Sequence, residues 1–222
     1  MPITELLERN AHEFCHETAL VEINPEVKEL RRVTWKEYEL IESSATESYR
    51  REITWSVFDE KANRCANLLL SRGIKKGDKV AILMMNSLEW LPVYFGILKT
   101  GALAVPLNYR YTASEIRYCL DLADVDAIFF GPEFIGRMEE IYAKIPKVKL
   151  IFYIGDTCPR FAENYLHLAA NLSSYSPRVL LAESDDAAIY FSSGTTGFPK
   201  AILHSHESLM HACKVEQAHH GQ

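Results

Sequence analysis

The sequence predicts an α/β protein built of parallel-sheet βαβ layers with flanking helices. Three observations carry this. Five short apolar runs, Val80–Met84, Ala102–Leu107, Asp126–Phe130, Lys149–Ile154 and Ala187–Phe191, lack the polar alternation of a half-exposed sheet, which suits strands covered on both faces. The stretches between them repeat apolar residues at helical spacing. Runs and helices alternate as in βαβ units, whose crossovers are right-handed.

Taken in order, Ile3 to Glu17 reads as a helix with Leu6, Leu7, Asn10 and Phe14 on one side, and Ala19 to Ile23 as a strand. Glu37 to Arg51 is polar and charged, an exposed connection. Val33-Thr34-Trp35 is echoed by Ile53-Thr54-Trp55, which is too short to make a repeat. Phe58, Ala62, Cys65, Ala66 and Leu69 form one apolar helix face, with Ser56 and Asp59 as an N-cap signature and Gly73 as a stop. The turn Lys76-Gly77-Asp78 leads into the first strand, and Lys75-Lys76 is a solvated pair. Leu88 to Leu98 is a further helix whose start Pro92 leaves open. Thr112-Ala113-Ser114-Glu115 is a capping box ahead of Ile116, Cys119, Leu120 and Ala123. Ile135 to Ile145 is a helix ended by Pro146, and Pro159 to Pro177 is irregular. Residues 1–50 are expected to form a helix/strand extension packing on a main α/β domain of residues 51–222.

The 222 residues are 48% hydrophobic and 24% charged with a net charge of −6, the balance of a globular chain. Basic residues are a minority and form no stripe, so no nucleic-acid partner is expected. No apolar run approaches the roughly 18 residues of a membrane span. The start, MPITELLER, is acidic and has no secretory apolar core. Five cysteines in no C-x-x-C spacing read as free thiols of a cytoplasmic protein.

The most informative run is Tyr190-Phe191-Ser192-Ser193-Gly194-Thr195-Thr196-Gly197-Phe198-Pro199-Lys200-Ala201. A strand opens into small residues and ends at Pro-Lys. Glycines let a backbone approach phosphates closely, hydroxyls supply neutral donors, and Lys200 supplies a cation. A P-loop needs G-x-x-x-x-G-K-[ST], whereas Gly197 and Lys200 are separated by Phe198-Pro199 and Ala201 follows the lysine. The dinucleotide fingerprint G-x-G-x-x-G fails as well. A flexible Ser/Gly loop without a ligand is the bland alternative.

This run resembles the phosphate-binding signature of the adenylate-forming superfamily, the acyl-CoA synthetases and AMP-dependent synthetases and ligases. Ile53-Thr54-Trp55 to Leu70, Gly77 to Ile82, Gly101 to Asn108, the Thr112–Glu115 box and Asp185 to Ile189 resemble other blocks of that family in the same order. The resemblance implies a ligase using ATP, Mg²⁺ and coenzyme A on a carboxylic acid, with fatty acids favoured. It implies phosphate binding by Ser192, Ser193, Gly194, Thr195, Thr196, Gly197, Phe198, Pro199 and Lys200. Lys200 would stabilise phosphate charge and Ser192 would help to hold Mg²⁺. Ala201 stands where the family usually has glycine.

His206 matches a histidine the family carries after the loop. It is read equally as a support of the site or as a core histidine. A zinc reading of His204, His206, His211 and Cys213 meets no standard ligand spacing, although a strand over 201–206 would put His204 and His206 on one face. Family members usually exceed twice this length, so the expectation is an incomplete N-terminal domain, inactive alone, whose bare sheet edge favours self-association. A scaffold or nucleotide-binding module that keeps the loop without the chemistry is the alternative.

Overall fold

The apolar runs become the buried strands of one twisted sheet. The structure, a computed structural model, describes residues 1–23, 32–33, 40–41, 50–192 and 199–221. Chain order runs α1 (Ile3–Glu13), β1 (Thr18–Ile23), β2 (Arg32–Val33), β3 (Leu40–Ile41), β4 (Arg50–Thr54), α2 (Trp55–Ser71), β5 (Lys79–Leu83), α3 (Trp90–Lys99) and β6 (Leu103–Pro106). It continues through α4 (Ala113–Leu122), β7 (Ala127–Phe130), α5 (Ile135–Ile141), β8 (Leu150–Tyr153), β9 (Glu163–Asn164), α6 (Tyr165–Ala170), β10 (Asp186–Ser192), β11 (Lys200–Ser205) and α7 (His206–His220).

Among the described residues, seven strands share a sheet in the order β11-β10-β6-β5-β7-β8-β9. Every neighbouring pair is parallel except β10–β11, which is an antiparallel hairpin. Alternate residues of the strands face opposite layers. Val80, Ile82, Phe129 and Phe152 face α2, α3 and α6, whereas Ala81, Leu83, Ile128 and Phe130 face α4 and α5. Both faces are therefore dry, which is why these runs show no polar alternation. Phe129 and Phe152 stack across adjacent strands at 4.9 Å, and Tyr165 of α6 meets Phe129 edge-on at 5.3 Å.

Helix starts follow local chemistry. The Thr112 hydroxyl accepts the Glu115 amide while the Glu115 carboxylate accepts the Thr112 amide, completing the capping box. Helix α2 ends as Gly73 takes φ +87°. Its amide bonds the Leu70 carbonyl and that of Ile74 bonds the Leu69 carbonyl, a Schellman stop. Pro92 sits in the first turn of α3, where its missing N–H costs no helical bond.

Several local expectations change. The N-cap of α2 is Thr54, which accepts the Val57 amide, not Ser56. Trp55 and Ser56 are drawn into the helix because their amides bond the carbonyls of Glu17 and Cys15. That turn also ends α1 at Glu13 and leaves Phe14 exposed. Helix α5 stops at Ile141, and a 3-10 turn over Tyr142–Lys144 follows, with the Tyr142 ring stacked on Phe161 at 4.8 Å. The irregular stretch after Pro159 contains β9 and α6. The connection over 37–51 lies largely outside the described residues.

The N-terminal elements lean on α2. Leu7 packs with Phe58 and Ala62, and β1 pairs antiparallel with β4. β2 and β3 pair with each other.

Candidate active site

The run singled out above straddles the β10–β11 hairpin. β10 delivers Tyr190, Phe191 and Ser192, and β11 begins at Lys200. Ser192 and Lys200 are direct register partners. The connection is thus closed at its base by the sheet ladder. Ser193, Gly194, Thr195, Thr196, Gly197 and Phe198 lie outside the described residues. Pro199 is buried, whereas Ser192 and Lys200 are exposed. Among the described residues Lys200 makes no ion pair.

The hairpin base lies at the carboxyl edge of the parallel strands, where open α/β sheets bind ligands. The chain leaves β5 to α3 on one face and leaves β6 to α4 on the other, so neighbouring connections diverge there. A cavity of about 830 Å³ opens along the same edge. Met84, Asn86, Gly131, Glu133, Ile154 and Gly155, at the ends of β5, β7 and β8, are among its lining residues. Glu22 at its rim pairs with Arg51 and accepts the Leu88 amide at 2.8 Å. Burial pushes the Glu22 carboxyl up, but Arg51 and that amide outweigh it and hold it below the ordinary carboxylate value.

Aromatic contacts brace the hairpin. The Tyr190 hydroxyl lies 2.8 Å from that of Tyr94 on α3, and its ring packs 5.2 Å from the His204 ring on β11. Burial raises both phenols, so both are neutral. Tyr94 belongs to an apolar helix face, and nothing in its spacing marks it as a partner of the loop strand.

His206 is not beside Lys200. It opens α7 at the far end of β11, which puts roughly 17 Å of strand between them. A strand over 201–206 ends one residue early: Ser205 caps α7, accepting the Ser208 amide at 3.2 Å. His206 therefore does not share a strand face with His204. His206 is 1% exposed and neither ring nitrogen has a hydrogen-bond partner among the described residues. Its backbone amide bonds the Asp185 carbonyl at 3.0 Å. Asp185 in turn pairs with Lys76 at 2.5 Å and accepts the Ala182 amide at 2.7 Å. Burial holds the imidazole pKa below its ordinary value, with Asp185 opposing and Lys76 and the N-terminal ammonium adding to the effect.

The cysteines are free thiols. Burial raises the thiols of Cys65 and Cys119, which keeps them protonated. No helix among the described residues is long and apolar enough to cross a membrane.

Residues 7–221 match the family model described as AMP-binding enzyme. Among curated proteins, the chain is similar to the long-chain-fatty-acid–CoA ligase FadD13 of Mycobacterium tuberculosis, with 35% identity over 158 residues. It is 31% identical over 166 residues to a medium/long-chain-fatty-acid–CoA/3-oxocholest-4-en-26-oate–CoA ligase of Mycobacterium marinum. Each of these alignments takes in 71% of this chain and 30% of the relative, so the chain spans about a third of the length of the proteins it matches. Among solved structures, the anthranilate CoA ligase AuaEII in complex with anthranoyl-AMP superposes with a TM-score of 0.78 at 26% identity, covering 93% of this chain and 35% of that one. The N-terminal domain of FACL13 from Mycobacterium tuberculosis gives 0.73 at 27% identity, covering 94% and 45%.

Proposed function

The chain belongs to the AMP-binding enzyme family, and on that premise we propose that it carries the phosphate-holding part of an ATP-dependent acyl-CoA ligase. In the proposed reaction a carboxylate oxygen attacks the α-phosphorus of ATP. The bond from that phosphorus to the bridging oxygen breaks, and pyrophosphate leaves. The sulfur of coenzyme A then attacks the acyl carbon, and AMP departs with the carboxylate's former oxygen. A carboxylate resists nucleophiles because its charge is delocalised; adenylation supplies a leaving group.

The observation that carries this reading is Lys200, exposed and without an ion pair among the described residues, opposite Ser192 at the carboxyl edge of the sheet. A fixed cation there stabilises negative charge as it builds on pyrophosphate. Ser192, Ser193, Gly194, Thr195, Thr196, Gly197, Phe198, Pro199 and Lys200 are the proposed phosphate contacts. Ser192 is exposed and has a hydroxyl to offer Mg²⁺, which when bound screens charge on the phosphates. His206, buried at the other end of β11, acts in this reading by packing rather than by touching substrate. Medium- or long-chain fatty acids are the favoured acids, following FadD13 and the Mycobacterium marinum relative. A cytoplasmic site fits five free thiols. Residues 1–50 are proposed as an extension packed on the domain of residues 51–222, as Leu7 against Phe58 suits.

Titration of the 222-residue chain with Mg-ATP tests the reading. Binding is asked for, not turnover, because the chain spans about 30% of FadD13. Saturable binding is expected, weakened about 10- to 100-fold by Lys200→Ala, the worth of a charged hydrogen bond. No binding, or equal binding by the variant, overturns the assignment of Lys200.

A further inference from the structure

Residues 171–185 carry the chain from α6 to β10 with neither helix nor strand. Both ends are fixed. The Leu172 amide bonds the Ala169 carbonyl at 3.1 Å, and the Leu172 side chain packs against the buried core. At the other end Asp185, paired with Lys76, accepts the Ala182 amide at 2.7 Å. The span between, 173–181, adds no side chain to the buried apolar clusters of the described residues. Its amides at Ser176 and from Arg178 to Leu181 make no hydrogen bond among the described residues. What holds this span is the polar side of α2. Asn67 gives both Nδ2 protons to the carbonyls of Ser173 and Tyr175, each at 2.9 Å. Asn63 divides its two between the Ser174 carbonyl at 2.9 Å and the Asp59 carboxylate at 2.8 Å. Arg64 secures the upstream end through the carbonyls of Ala170 and Leu172.

We propose that residues 173–181 form a strap that opens as one unit and uncovers Lys99, with Asn63 and Asn67 as its latch. Three consecutive carbonyls are held by two side chains, Asn67 taking the outer pair and Asn63 the middle one, so they release together. On opening, each of these bonds is exchanged for one to water, and each is worth only a factor of about 2 to 10 in the equilibrium. Segments held this way, with few buried apolar contacts, open well below the free energy of global unfolding. Arg178 sits at φ +55°, a backbone region that residues with a Cβ avoid, and opening relieves it. The strap also reaches Lys99. The Ser176 hydroxyl bonds Glu8 Oε1 at 3.0 Å, the same oxygen that lies 2.7 Å from the Lys99 ammonium. Lys99 is 2% exposed, and it shares a cavity of about 200 Å³ with Glu8, Ser176 and Leu181. Closed, the strap shields the amine; open, it admits water and reagents. Asp185 stays fixed by Lys76 and by the His206 amide on its carbonyl, so β10 keeps its place. The strap stands apart from the ligase reading.

Two rates measured on the 222-residue chain test the proposal. One is acetylation of Lys99 by N-hydroxysulfosuccinimide acetate, and the other is trypsin cleavage after Arg178, both followed by mass spectrometry. Each is expected to rise with urea more shallowly than global unfolding does. Asn67→Ala removes two latch bonds and should raise both rates at least about fivefold, while acetylation of the exposed Lys147 stays unchanged. Asn67→Asp keeps the shape and loses both donors, so it repeats the test if the alanine variant lacks native circular dichroism. Lys99 labelling unchanged in the latch variants overturns the proposal. So does faster cleavage without faster labelling, since the strap would then not cover Lys99. A urea slope equal to that of global unfolding at both sites overturns it as well, because the strap would then open only with the whole fold.

Discussion

The hydroxyls of Tyr94 and Tyr190 lie 2.8 Å apart and tie helix α3 to β10, the strand that leads into the Ser192–Lys200 connection. Both phenols are raised by burial and stay neutral, so this is one neutral hydrogen bond, worth about 1 kcal/mol. Tyr94→Phe and Tyr190→Phe should each destabilise by about that amount. Because they remove the same bond, the double variant should fall short of the sum by about 0.5–1.5 kcal/mol. Urea unfolding of the four proteins measures the coupling, and simple additivity would contradict it.

Lys99 holds the N-terminal helix to the rest of the fold. Its side chain is 2% exposed, and its ammonium lies 2.7 Å from Glu8 of α1 and 2.8 Å from Asp59 of α2. Lys99→Ala leaves Asp59 partly buried without its cation and should cost about 3–5 kcal/mol. Glu8→Gln should cost less than about 1 kcal/mol, since Glu8 is 42% exposed and screened. Equal losses from the two substitutions would contradict this division.

His206 should make stability depend on pH. Its pKa in the folded chain is held below the unfolded value near 6.5, first by burial. The unfolded chain therefore takes up this proton more readily than the folded one. The folded state loses no stability to this group above pH of about 6.5, and it loses stability as pH falls from there toward the depressed folded pKa. His206→Leu should flatten that part of the profile of unfolding midpoint against pH. An unchanged slope would show that carboxylates alone set it.

Gly96 lets α3 pack tightly against Ala62 and Cys65 of α2. A Cβ there would stand 2.4 Å from the Cys65 Cβ, 2.7 Å from its Sγ and 2.9 Å from the Ala62 carbonyl oxygen. Gly96→Ala should destabilise by about 1–3 kcal/mol despite the better helix propensity of alanine. Cys65→Ala should not rescue it, because the nearest atom is the Cβ that alanine retains. Thermal unfolding of the single and double variants decides this.

What could be read from the sequence is what local chemistry writes. Strand runs such as Val80–Met84 are legible because burial on both faces removes alternation, and Thr112 to Glu115 because a capping box closes within one turn. Membership of the AMP-binding family was legible in the resemblance of the run from Tyr190 to Ala201, and of the blocks before it, to that family's sequences. Tertiary structure alone decided the rest. Thr54 displaces Ser56 as the cap because Glu17 and Cys15 draw two more residues into α2. Tyr94 meets Tyr190 across 96 residues, and Lys99 meets Glu8 across 91. His206, six residues from Lys200 in sequence, is carried to the opposite end of β11, because an extended strand separates its ends as fast as a chain can.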